Sequence, residues 1–134
     1  MMQGRLLVAG QAAGRVLRLD EPVSFWGGVD PRTGLVIDRA HPQCGDSLAG
    51  RIVAMPGSRG SSGTPGVLGE ALRLGVGPAA MVITKPDVNL VAGALVAASL
   101  YGAVCPVVLV DDEVFAALRD GEPVTVNDDG SIES

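Results

Sequence analysis

Apolar positions along the 134-residue chain come in short runs. In the first half, RLLVAG (5–10), GRVLRL (14–19), EPVSFWGG (21–28), GLVID (34–38) and RIVAM (51–55) are separated by Gly, Pro and Asp. Such brief runs between turn residues are the pattern of strands. This half is therefore expected to be β-rich, with RAHPQCGDSLAG (39–50) as a polar loop. The pattern changes after residue 66. In VLGEALRLG (67–75), apolar residues at 67, 68, 71, 72 and 74 fall on one helical face, and the helix is expected to start near Pro65. AAMVIT (79–84) reads as a strand, 90–101 as an apolar helix, and PVVLV (106–110) as a buried strand. EVFAALRDG (113–121) reads as a short helix, PVTVN (123–127) as a last strand, and DDGSIES as a frayed or hairpin end. A β-rich half followed by β-loop-α-β-α-β-α-β predicts one α/β domain over residues 1–134, in three layers, β/β/α.

The uncharged run 88–110 is long enough on paper to span a bilayer. Asn89, Gly102 and Pro106 interrupt it, so it parses as a buried helix, a turn and a buried strand, and no membrane segment is expected. Hydrophobic residues make up 47% of the chain and aromatics 3%, so it folds, around a core of Val, Leu, Ile and Ala. Nineteen glycines and nine prolines call for many tight turns. With a net charge of −5, one Trp and one Tyr, the chain has neither a basic stripe nor stacking platforms, which excludes a nucleic-acid partner. A small anion held by one or two Arg stays open. Cys44 and Cys105 are far apart in sequence; their spacing leaves a disulfide open. Without a CxxC or Cys/His cluster, no metal site within this chain is expected. The N-terminus lacks a signal peptide's long apolar stretch, so a cytoplasmic location is expected.

The candidate chemistry lies in MPGSRGSSGTPG, residues 55–66, between an expected strand (51–55) and the helix from Pro65. Glycines at 57, 60, 63 and 66 let the backbone turn its N–H groups to one side, and a helix start adds partial positive charge. Ser58, Ser61 and Ser62 place three hydroxyls around Arg59, whose planar fork suits a carboxylate. The loop is thus a candidate cradle for a carboxylate or phosphate. An equally simple reading is a surface loop in which Ser62 or Thr64 caps the helix and Pro65 occupies its first turn. It is neither a P-loop, lacking the lysine, nor a nucleophile elbow, lacking GxSxG in register.

Three blocks in order and at this spacing resemble the small subunit, or swivel domain, of aconitase X, a family of hydro-lyases. They are Gly28, Asp30, Thr33 and Gly34; then His41, Pro42, Gly45 and Gly50; then Arg59-Gly60-Ser61-Ser62. The resemblance runs from about Gly14 to Asp112. It implies a swivelling β/β/α domain that binds no cofactor alone and is inactive without its large subunit. That partner, joined to it as a heterodimer or higher assembly, would carry an iron–sulfur cluster or mononuclear iron. It further implies that Ser61 is the catalytic base and that Arg59, Gly60, Ser62 and Ser58 contact a small anionic hydroxy acid. The substrates it implies are cis-3-hydroxy-L-proline, which the Ala/Gly/Arg-rich composition of a bacterial chain favours, and mevalonate 5-phosphate as the alternative. Water elimination needs a base for the proton α to the carboxylate and an acid on the departing hydroxyl, which iron can supply. Serine acts as a base only where its alkoxide is stabilised, by N–H groups and a cation such as Arg59.

The remaining residues carry less. His41, the single histidine, lies in the turn-like AHPQCGDS, where a structural or interface role is expected before a catalytic one. Asp30, in DPRTG, is expected to organise a turn. Cys44 could approach an iron centre in an assembled enzyme but reads first as a small packed side chain. Asp111, Asp112 and Glu113 suit a helix start. The competing class is a non-catalytic swivelling carrier. A phosphohistidine carrier needs a histidine opening the apolar helix, where this chain reads Asp87-Val88-Asn89-Leu90.

Overall fold

A computed structural model describes residues 2–59 and 62–134. Strands β1 (Met2–Gln3), β2 (Arg5–Val8) and β3 (Ala12–Arg18) precede an irregular turn, α1 (Phe25–Gly28). Then follow β4 (Ile52–Ala54), α2 (Thr64–Arg73), β5 (Ala80–Ile83), α3 (Val88–Tyr101), β6 (Val107–Leu109), α4 (Asp112–Ala117), β7 (Pro123–Val126) and β8 (Ser131–Glu133). The sheet order is β1-β8-β7-β3-β4-β5-β6-β2, with β3, β4, β5 and β6 mutually parallel. The sheet nearly closes. Its two ends are the two halves of one N-terminal stretch: β1 pairs with β8, and β2, just after Gly4, pairs with β6.

Side-chain alternation builds two cores from the same strands. Val16, Ile52, Ala54, Ala80, Val82, Val108 and their neighbours fill the space inside the curved sheet. Leu17, Val53, Met55, Met81, Ile83 and Val107 point the other way, onto the helices. There Leu68 and Leu72 of α2 and Leu90, Ala94 and Ala97 of α3 complete the second core. Full burial of a side chain such as Leu68 or Leu90 contributes roughly 1.5–3 kcal/mol. The helices pack closely at Gly93, where a Cβ would lie 3.1 Å from the Pro65 Cα. The expected β/β/α layering is the observed one.

Differences from the sequence reading cluster in residues 21–38. The runs 21–28 and 34–38 are not ladder strands: they form α1 and the isolated bridges Val29↔Val36 and Leu35↔Ser47. Gly27, at φ 78°, breaks the extended path, while Val23, Phe25, Val29 and Val36 still bury their side chains. The segment is an irregular cover over the helix-side core. Elsewhere the boundaries shift by a few residues; α4 ends at Ala117, before the buried Leu118. Gly102, at φ 65°, ends α3, donating back to Ala98 O. No helix among the described residues is long and apolar enough to cross a membrane.

Candidate active site

Parallel strands place the turns after β3, β4 and β5 at one edge of the sheet, where α/β folds bind ligands. The candidate loop leaves β4 at this edge and is held on both sides before it reaches residue 60. Pro56 O accepts from Thr84 N (3.2 Å) and Lys85 N (3.0 Å), which follow β5. Ser58 donates twice to Asp87 Oδ2, from its N–H at 2.8 Å and its hydroxyl at 2.7 Å. Asp87 Oδ1 accepts from Asn89 N and Leu90 N, both at 3.1 Å, capping α3. Across the loop, Arg59 N donates to Val23 O at 3.1 Å.

Arg59 reaches outward. Its side chain is 60% exposed and makes one ion pair, Nη2 to Glu21 Oε1 at 3.4 Å. So exposed a pair holds the guanidinium weakly, leaving it open to an arriving anion. Gly60 and Ser61 lie outside the described residues. Past them Ser62 is exposed, and Gly63 is the N-cap of α2, offering no side-chain oxygen to the first turn. Neither Ser62 nor Thr64 is the cap: Thr64 is already the first helical residue, followed by Pro65. A Cβ on Gly63 would collide with the indole of Trp26, so only glycine lets the chain re-enter the helix this close to that ring. Trp26 is 66% exposed beside the loop, a position to which the sequence pattern assigned nothing.

Thr64 is fully buried, and its Oγ1 has no hydrogen-bond partner among the described residues. A buried hydroxyl without a partner costs stability, whereas a methyl in its place does not. Thr64→Val is accordingly expected to leave stability unchanged or raise it by up to about 1 kcal/mol. Urea unfolding of the two proteins measures this; a clear loss in the valine variant would mean the hydroxyl has a partner.

Outside the loop, His41, Asp30 and Asp111 use their side chains in local structural bonds. His41 is 5% exposed, with both ring nitrogens bonded. Gln43 N–H donates to Nδ1 at 3.0 Å, so the proton sits on Nε2, which donates to the Glu21 carbonyl at 2.8 Å. Asp30 organises its turn as expected: Oδ1 accepts from Arg32 N (2.9 Å), and its carbonyl from Gly34 N (2.8 Å). Gly34, at φ 78°, has no room for a side chain against Val76 O. Asp111 caps α4, accepting from Val114 N at 2.8 Å. Both cysteines are free; Cys44 is exposed, while burial pushes the Cys105 thiol up to about 12. Among the described residues, no three His, Cys, Asp or Glu side chains gather to hold a metal ion. These residues do not fit an iron site.

A nearly closed β/β/α sheet with a Gly/Ser/Arg loop at its parallel edge defines a swivel-type domain. The chain belongs to the aconitase X swivel domain family, whose family model matches residues 1–134, further in both directions than the quoted motifs. It is 48% identical over 103 residues, 77% of its length, to the cis-3-hydroxy-L-proline dehydratase of Pseudomonas aeruginosa. The chain spans only 18% of that relative's length. It is 30% identical over 131 residues to the phosphomevalonate dehydratase small subunit of Methanocella arvoryzae, covering 98% of this chain and 96% of that one. Its fold superposes on the crystal structure of Thermococcus kodakaraensis aconitase X with a TM-score of 0.85 at 30% identity, covering 98% and 94% of the two chains.

Proposed function

We propose that this chain is the small subunit of a two-chain, cytoplasmic dehydratase acting on cis-3-hydroxy-L-proline. Ser61 takes the C2 proton, α to the carboxylate; the C3–O bond breaks, a C2=C3 double bond forms, and water leaves. Arg59, with Gly60 and Ser62 beside it, receives the substrate carboxylate near the start of α2. An iron centre on the large chain would supply the acid that assists the departing hydroxyl.

The observation carrying this substrate is the 48% identity to the Pseudomonas aeruginosa enzyme, against 30% to the Methanocella arvoryzae subunit. A second reading, mevalonate 5-phosphate, is supported by the 30% identity to the Methanocella arvoryzae small subunit, 96% of which is matched. A covering surface beyond these residues is supported by α3. Val88, Leu95, Val96, Leu100 and Tyr101 are exposed on a helix without a charged residue, and a helix apolar all round is one buried all round. The large chain would cover that face.

The test is to co-express this chain with its large chain and follow the loss of one water from each substrate by mass spectrometry. Turnover of cis-3-hydroxy-L-proline, absent from either chain alone, is the expected result. Turnover of mevalonate 5-phosphate instead establishes the second reading. A stable two-chain complex inert toward both ends the dehydratase assignment for these substrates.

A further inference from the structure

One carboxylate ties the reactive loop to the frame. Asp87 accepts four hydrogen bonds, divided between its two oxygens. Oδ1 takes the N–H groups of Asn89 and Leu90 and so belongs to α3. Oδ2 takes the N–H and hydroxyl of Ser58, 29 residues earlier in the chain, and so belongs to the loop. Ser58 directly precedes Arg59, whose N–H is held on the other side by Val23 O. The loop therefore enters residues 60 and 61 from a stem fixed on both flanks.

We propose that Asp87 is the positioning residue for the catalytic loop, and that Ser58 serves as its handle and makes no substrate contact. The inference rests on Ser61 being the base. Its physical content is alignment: a base must sit within hydrogen-bond reach of the proton it takes, and a displacement of ~1 Å can cost ~10²-fold. Both lone-pair sets of one rigid carboxylate are in use, so the loop stem cannot shift without losing a charge-assisted bond. The same side chain keeps the loop in register with the start of α3, which is fixed in the core through Leu90.

Two variants separate the loop contact from the helix cap. Asp87→Asn keeps an oxygen for Asn89 and Leu90, since Asn is a good N-cap, but turns an NH₂ toward the two Ser58 donors. Ser58→Ala removes the hydroxyl and leaves the cap intact. In the assembled two-chain enzyme each is expected to lower kcat by about 10–100-fold, with KM changed less than about threefold and the melting temperature little moved. Because both act through one contact, the double variant should be no worse than the poorer single. Wild-type kcat in Asp87→Asn overturns the proposal, as do losses that multiply in the double variant or appear only in KM. Ser61→Ala, run alongside, distinguishes the two failures. If it is inactive while Asp87→Asn is wild-type, only the positioning role falls. If Ser61→Ala is fully active, the base assignment falls and takes this inference with it.

Discussion

Ser61→Ala in the assembled enzyme is expected to lower kcat by about 10²–10⁴-fold, the usual contribution of a positioned general base. The two chains should still co-elute on size exclusion, because a single methylene alcohol in a loop adds little to an interface. A serine hydroxyl gives up its proton at neutral pH only where positive charge waits for the alkoxide. Two residues before Ser61, the Arg59 guanidinium is exposed and only loosely paired with Glu21. Two residues after it, α2 begins at Gly63, so the positive end of that helix dipole lies near the loop. Closure against a large chain would exclude water and strengthen both effects. Turnover within a factor of about three of wild type would remove Ser61 from the chemistry and with it the reason for this loop composition.

The strand and helix pattern of the second half was legible because burial there follows one rule. In β5 every residue is buried, Ala80 and Val82 inside the sheet and Met81 and Ile83 against the helices, which produces a continuous apolar run bounded by turns. Gly102 and Asp111 mark helix ends through local backbone chemistry that spacing alone reveals. Residues 21–38 misled for the converse reason: Val23, Phe25, Val29 and Val36 are as apolar as strand residues but satisfy their backbone with turns. Closure of the sheet was invisible, because it depends on β1 and β2 finding partners about a hundred or more residues away. In the site, the Arg59-Gly60-Ser61-Ser62 motif was plain in the sequence. The tie between Ser58 and Asp87 was not: nothing in the spacing of Asp87 says that one of its oxygens caps a helix while the other faces a loop. Trp26 and Gly63, which meet across 37 residues, were hidden in the same way.

Phe25→Ala is expected to destabilise the chain by about 3–5 kcal/mol, the cost of emptying a fully buried aromatic site. For a domain of this size that lowers the melting temperature by roughly 10–20 °C, readable by circular dichroism on the purified chain. Trp26→Ala, at the next position, deletes a larger side chain yet should cost about 1 kcal/mol or less, since 66% of that residue already meets water. Equal losses at the two positions would contradict the core assignment of Phe25. The consequence reaches the site through two neighbours. Val23, buried beside Phe25 in the same core, carries the carbonyl that fixes Arg59 N, and Trp26 lies against Gly63 where the loop rejoins α2. A cavity under this irregular turn therefore loosens the wall on which the loop leans. In the assembled enzyme, at temperatures where Phe25→Ala remains folded, kcat is expected to fall while the bonds from Ser58 to Asp87 on the opposite flank still hold. Phe25 thus joins the helix-side core to the candidate edge through packing.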